Sequence, residues 1–350
     1  MPMRFIKYLS LCTGLILCVP VFAEPARSKT LSLLSRSGSS HIPVRLDSTQ
    51  LNWLQEKREL LLGTSAADYP PFDMTDSGRD YEGYTADYAG LLGKALKLPV
   101  KVQRFASREA AIKALEDGQI DLLGTSNGFE AANPNLALSI PYAIDQPVLV
   151  TREGETRSLS QGLAGLRLSM VYHYLPPKEV KALYPQAIIQ SYPSYQNAIN
   201  AVAFDQADIF LGDTVSTHYM INKGYLKDIK MANFGQHEAQ GFSFAVRRDH
   251  TPLLGIINAT LKAVPDTEQA SIAKRWSAGS DILLSDRKLQ LTEREEHWLL
   301  KHPVVKVVVN ETMAPLTFFD ANGNFRGITA DLLEMIRLRT GAAFRNTTRE

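Results

Sequence analysis

The chain has 350 residues, room for about two ordinary domains, each with a core of its own. A hydrophobic content of 45% with 21% charged residues excludes a disordered or predominantly membranous polypeptide. The formal net charge of +1 supplies no overall field for nucleic acid or anionic lipid, so neither is expected as a partner.

Residues 1–23 read as a secretory signal peptide. Arg4 and Lys7 precede the apolar run YLSLCTGLILCVPV, and Val21-Phe22-Ala23 is a small-x-small cleavage site before Glu24. The run is shorter than the roughly 20 residues a membrane-spanning helix needs. Both cysteines, Cys12 and Cys18, lie inside it. The exported chain therefore has no disulfide and no thiol chemistry. Leu17 before Cys18 is not the small residue that lipidation requires. No later segment is long and apolar enough to cross a membrane. Residues 24–50 are rich in Ser, Arg and Pro without period and read as a leader or linker.

From about Leu60 strands alternate with helices. LLLG is a short apolar strand and YPPFDMTDSGRDYEG a turn-rich loop. In TADYAGLLGKALKL, Tyr88, Leu91, Leu92, Ala95 and Leu96 recur at helical spacing. Thr85 is the expected N-cap, with Asp87 in the first turn, where the helix dipole favours a carboxylate. VKVQRF follows as a strand. The β-α-β-α-β order with short connections predicts a parallel α/β sheet covered by helices.

Two internal repeats organise the rest. In the shorter one, Ala111, Ile112, Ala114, Gln119 and Asp121 recur as Ala198, Ile199, Ala201, Gln206 and Asp208. Each copy reads as a Ser-capped helix feeding a buried strand, which predicts two similar lobes. In the longer one, PPFDMTDSGRDYEGYTADY is echoed by APLTFFDANGNFRGITADL. Pro71, Asp76, Gly83, Thr85, Ala86 and Asp87 recur as Pro315, Asp320, Gly327, Thr329, Ala330 and Asp331. A Trp-Leu pair and an apolar strand precede each copy (Trp53-Leu54 and LLLG; Trp298-Leu299 and VVVN). Residues 303–350 thus read as the truncated beginning of a second domain, and the chain as a fragment of a longer tandem protein.

YPPF, GYTADY, the A-I-x-A-L-x-x-G-x-x-D stretch, SIPY, GFSFAVRRD and a late RW, in that order and spacing, resemble the bacterial family 3 solute-binding proteins. The likeness runs from about Leu60 to Ser280. The connector LTEREEHWLLKHPVVKVVV with a second copy behind it is similar to the tandem periplasmic domains of BvgS/EvgS-type hybrid sensor histidine kinases. The resemblance implies a two-lobed, type II Venus-flytrap α/β fold over residues 51–285. Lobe 1 would take about 58–147 plus 243–283, lobe 2 about 150–240, with crossovers near Val148–Arg152 and Gln240–Phe242. A helical connector would occupy 286–302. The implied setting is the periplasm, with the intact parent in the inner membrane. Its partner is a small molecule, or none in the resting state, and the intact sensor could be a homodimer.

Candidate cleft residues follow from strand ends, where open α/β sheets bind ligands. Tyr69 and Phe72 lie in the Pro-rich loop after the first strand; both could instead fill the lobe 1 core, a reading that suits Phe72 equally well. Gly124, Thr125, Ser126 and Asn127 follow the strand IDLL and could present N–H groups and hydroxyls to an anion. Tyr142 ends SIPY. His173 and Tyr174 sit in the turn VYHYLPP, where a lone histidine is more often structural, though it could titrate near neutral pH. The family commonly uses the place of Asp213 to hold a ligand's amino group; capping the helix TVSTHYMI explains this aspartate equally well. Amino-acid binders of the family also carry an arginine shortly after the Gly-Thr loop to clamp a carboxylate. Here Glu130 stands about there, and no arginine occurs between Arg108 and Arg152. That argues against ordinary α-amino-acid binding.

Phosphate-loop, dinucleotide and H-E-x-x-H motifs are absent from the sequence; HEAQG at His237 carries the first two letters only. No catalytic residue, cofactor or metal site is expected. His297 and His302 read as surface residues. Three readings remain: the sensory region of a membrane histidine kinase, a stand-alone solute-binding protein of an ABC importer, and an enzyme on the same scaffold. The second repeat favours the first.

Overall fold

The computed structural model describes residues 28–348, apart from 279–291 and short interruptions at 40–41, 76, 158, 160–162, 224–225, 227, 238–239, 303, 311, 321–322, 324 and 341. The signal-peptide reading, both cysteines and Asp76 lie outside the described residues.

Lobe 1 begins with β1 (Lys29–Leu33), α1 (Ser48–Glu56), β2 (Leu60–Ser65), β3 (Asp80–Tyr81), α2 (Tyr84–Leu96) and β4 (Val100–Phe105). It continues through α3 (Arg108–Glu116), β5 (Leu122–Ser126), α4 (Gly128–Ala131), β6 (Leu136–Leu138) and β7 (Ala143–Asp145). The chain then crosses into lobe 2: β8 (Pro147–Arg152), β9 (Arg167–Val171), α5 (Pro177–Leu183), β10 (Ile188–Tyr192), α6 (Tyr195–Ala203), β11 (Ile209–Asp213), α7 (Thr214–Lys223) and β12 (Ile229–Phe234). It returns through β13 (Gln240–Arg247), α8 (Thr251–Ala263) and α9 (Asp266–Trp276).

The lobe 1 sheet runs β3-β1-β4-β2-β5-β13-β6, with β7 also on β13; the lobe 2 sheet runs β10-β9-β11-β8-β12. In both, the βαβ units pair in parallel (β2 with β4 and β5, β9 with β10 and β11), as alternating strands and helices require. The central strands bury their apolar side chains on both faces; Leu60, Leu62, Leu122, Val148, Val150, Ile209 and Leu211 are all 2% exposed or less. This is the two-lobed Venus-flytrap architecture. The two copies of the shorter repeat are α3–β5 and α6–β11, each helix capped by its serine: Ser107 Oγ accepts from Ala110 N–H at 3.2 Å and Ser194 Oγ from Asn197 N–H at 3.1 Å.

Three expectations change. Residues 24–50, read as leader or linker, include β1, which extends the lobe 1 sheet by pairing antiparallel with β4 and parallel with β3. The segment after it straps across α2 because two carboxylates collect its donors. Asp87 Oδ1 accepts Arg36 N–H, and Glu268 accepts Gly38 N–H at 2.8 Å and Ser39 N–H at 3.1 Å. Second, the N-cap of α2 is Gly83, not Thr85. Gly83 has φ +129, and a Cβ there would lie 2.3 Å from Phe72 O, so the tight entry into the helix excludes any side chain. Thr85 is left inside the helix, free to bond elsewhere. Asp87, besides the strap, accepts Arg275 Nη1 at 2.6 Å and Trp276 Nε1 at 2.9 Å, which is where the late RW pair belongs. Third, the hinge is the short ladder of β7 on β13 (Gln240 to Asp145, Phe242 to Ala143), so the first crossover precedes Val148–Arg152. That apolar run is instead β8, inside the lobe 2 sheet between β11 and β12.

After the flytrap come α10 (Glu293–Lys301), β14 (Val304–Val309), β15 (Thr312–Met313), β16 (Thr317–Phe319), β17 (Phe325–Arg326), α11 (Ile328–Thr340) and β18 (Ala343–Thr348). The parallel β14–β18 pair joined through α11 repeats the geometry of β2, α2 and β4. Gly327 reproduces Gly83: φ is +107 and a Cβ would lie 2.6 Å from Leu316 O. The longer repeat is therefore structural as well as textual.

Candidate functional site

The interlobe cleft is closed by direct contact between side chains of the two lobes. Tyr69, from the loop after β2, donates its hydroxyl to Asp213 Oδ2, at the end of β11, at 3.0 Å. Its ring packs edge-on against Tyr195 of lobe 2 at 4.8 Å and against Phe242 of the hinge at 5.7 Å, with His173 at 5.9 Å. Phe72 sits behind, 4.1 Å from Phe242 and 5.3 Å from Tyr84. Further out, the Tyr172 hydroxyl accepts Arg108 N–H at 3.0 Å and donates to Glu109 Oε2 at 3.0 Å, and Tyr219 donates to Met74 Sδ at 3.6 Å. Tyr69, Phe72, Tyr195, Phe242 and Asp213 are each 2% exposed or less. Beside this contact a groove of about 700 Å³ opens between the lobes, lined by Ser65, Ala66, Ser107, Tyr172, Ser191 and Tyr192.

The Gly124–Asn127 loop forms a second layer, beneath the lobe 1 surface. Its polar groups are engaged internally instead of facing an anion. Thr125, at φ +50, donates its N–H to the Tyr142 hydroxyl at 2.9 Å, and its own hydroxyl meets that of Thr85 at 2.8 Å. Asn127 caps α4 by accepting Phe129 N–H at 3.0 Å, and its N–H goes to Glu130 Oε2 at 2.9 Å. Arg108, missed as a site residue, reaches the loop from the first turn of α3. Its Nη2 donates to Gly124 O at 3.0 Å, Thr125 O at 3.1 Å and Ser126 Oγ at 3.2 Å, and its Nε to Glu130 Oε1 at 2.7 Å. This guanidinium is paired with Glu130 and held by the Gly124 and Thr125 carbonyls. A cation opening a helix opposes the macrodipole, and that misfit was the signal in the sequence.

Two buried carboxylates hold the hinge side. Asp213 Oδ1 accepts Ser216 N–H at 2.7 Å, so this residue both starts α7 and latches lobe 1. Asp145 Oδ1 accepts the Tyr174 hydroxyl at 2.7 Å, which ties Tyr174 to the hinge strand β7. Burial pushes Asp213 up to about 6 against the pull of its hydrogen bonds to Ser216 and Tyr69. Burial, then the charge of Asp213, hold Asp145 well above the carboxylate range. His173, pushed down to about 3 by burial and by Arg108, stays neutral and is no switch near pH 7.

A carboxylate raised by burial makes the closed, folded protein the better proton binder. Its contribution is fully present below the ordinary carboxylate value and is lost as pH rises through about 6. The melting temperature of the unaltered chain should therefore fall between pH 4.5 and 7 by several degrees more than that of Asp213→Asn. Equal slopes would show that Asp213 is not buried as described.

The family of bacterial extracellular solute-binding proteins, family 3, matches residues 61–279. The virulence sensor protein BvgS of Bordetella parapertussis is 41% identical over 330 residues, 94% of this chain and 27% of that protein. The sensor protein EvgS of Escherichia coli O157:H7 is 27% identical over 98% of this chain and 29% of EvgS. The chain spans little more than a quarter of the length of these sensors. Among solved structures, the periplasmic domain of Bordetella pertussis BvgS matches with a TM-score of 0.75 at 40% identity, over 92% of this chain and 63% of that one.

Proposed function

The chain belongs to the bacterial extracellular solute-binding proteins, family 3, and from that premise we propose that it is the sensory region of a membrane two-component histidine kinase whose first flytrap rests closed on its own side chains. The observation that carries this reading is the Tyr69–Asp213 bond, set in the aromatic cluster that joins the lobes beside the groove. A transport protein needs that space for cargo; a sensor needs two postures of different energy. Opening breaks the latch, the Tyr172–Arg108 bond and the Tyr69–Tyr195 contact together, so the closed state is a defined ground state and not one end of a continuum. Any effector shifts the balance by its differential affinity for the two postures.

The second repeat supports a tandem arrangement in which residues 303–350 begin a further flytrap and pass the signal towards the membrane. In the intact protein, export with removal of residues 1–23, homodimerisation and the kinase activity itself belong to the same proposal.

Thermal melting against amino acids, including arginine, separates this from the importer reading. A binding protein holding its cargo shifts by several degrees at a hundredfold excess over Kd, about 2.7 kcal/mol by mass action. The expected result here is a shift below about one degree with every amino acid. A large shift that disappears in Asp213→Ala would favour the importer.

A further inference from the structure

The longer repeat matches α2 with α11 residue for residue, and the two helices differ where it matters for their neighbours. Gly90 and Gly93 of α2 correspond to Glu334 and Arg337 of α11. In the first copy a side chain at either position would have to displace a neighbour. A Cβ on Gly90 would lie 2.2 Å from Ser35 Oγ of the strap, and one on Gly93 would lie 2.9 Å from Val100 Cγ2. In the second copy that ridge carries a charged pair: Arg337 Nε donates to Glu334 Oε2 at 2.8 Å and Nη2 to Oε1 at 2.5 Å. The other side of the guanidinium leaves its own unit. Nη1 donates to Ala232 O and Nη2 to Met231 O, both on β12 of lobe 2.

β12 is the last strand of the lobe 2 sheet, and its pairing with β8 shifts register between Met231 and Asn233. In a regular strand successive carbonyls point to opposite sides. One guanidinium can take two consecutive carbonyls because the bulge turns them the same way. The planar fork of arginine matches that pair of acceptors, and a lysine ammonium would hold one of them.

We propose that Arg337, oriented by Glu334, is the coupling residue between the two repeats: it clamps the β12 bulge and so ties the first helix of the second unit to the moving lobe of the first. Lobe 2 carries Asp213, so unlatching the cleft displaces the strand that Arg337 holds. The relay in this inference rests on the closed-flytrap reading; the clamp itself does not.

Hydrogen–deuterium exchange on the full 350-residue chain tests both parts. Arg337→Ala should speed exchange of the β12 peptide (Ile229–Phe234) and of α11 by about tenfold, with β2, β4 and β5 unchanged. Arg337→Lys, which keeps charge and helix propensity, should fall between. Faster exchange in α11 with β12 unaffected in both variants would overturn the clamp, because Arg337 would then serve only its own helix through Glu334. Asp213→Asn should speed exchange in α11 when Arg337 is present and add nothing in the Arg337→Ala background. An equal effect in both backgrounds would overturn the relay. If Asp213→Asn leaves the cleft residues of lobes 1 and 2 fully protected, the latch reading fails, and the β12 result still decides the clamp.

Discussion

Replacing Arg108 by methionine should lower the melting temperature of the first flytrap by about 10 °C, a larger loss than replacing Arg108 and Glu130 together. Arg108 is 2% exposed and Glu130 is fully buried, and they meet at 2.7 Å. Removing one partner strands a buried charge, which typically costs about 3–5 kcal/mol, whereas exchanging a whole buried pair for apolar side chains is often close to neutral. A domain of this size loses roughly 2–4 °C per kcal/mol, which gives the stated shift. The double variant Arg108→Met/Glu130→Met should recover about half of it. Full recovery is not expected, because Arg108 also satisfies the carbonyls of Gly124 and Thr125, and Glu130 accepts the Asn127 N–H. Scanning calorimetry of the two variants checks this. Additive losses would mean that the pair is solvated in solution.

Gly83→Ala should be as severe and should act on lobe 1. At φ +129 and ψ −173 the residue occupies a region open in practice to glycine alone, costing about 1–3 kcal/mol for another residue before contacts are counted. The new methyl would then lie within 2.6 Å of the carbonyl oxygens of Phe72 and Pro71, backbone that cannot step aside without moving Tyr69 and Phe72. The expected outcome is a melting point at least 10 °C lower, with loss of the interlobe contact that Tyr69 provides. Gly327→Ala meets the same obstacle at Leu316 and Pro315 and should melt the second unit while leaving the first at its original temperature. If Gly327→Ala lowers the first transition as much as Gly83→Ala does, the two units are one cooperative body.

Most of the fold was legible because periodicity and repetition are carried by many residues at once. The βαβ order and both Ser-capped helices come from patterns that single substitutions do not erase. The site was legible only in part. Tyr69, His173 and Asp213 do meet, since strand ends converge in such folds, but what they meet is each other. Nothing local to YPPF reports that Tyr195 lies opposite, and nothing in TSNGFEAA reports that an arginine from another helix fills its carbonyls. Those are long-range facts set by packing between lobes. The strap over α2 escaped for the same reason. Its Ser-rich sequence has no period of its own, and its order comes from Asp87 and Glu268, which are far away in the chain. The first crossover was misplaced because a continuous apolar run reads as a crossover or as a buried strand equally well, and here it is the strand β8; the second, Gln240–Phe242, lies on the β7–β13 ladder as expected.

The central claim, a flytrap that rests closed without cargo, can be measured directly. Residues 24–350 contain no cysteine, so spin labels at Lys113→Cys on α3 and Lys178→Cys on α5 would report one distance across the cleft. The account predicts a single narrow distribution in buffer alone, unchanged by amino acids, that lengthens and broadens in Tyr69→Phe and Asp213→Asn. A long, broad distribution in the unaltered chain that contracts when arginine or another small solute is added would contradict it.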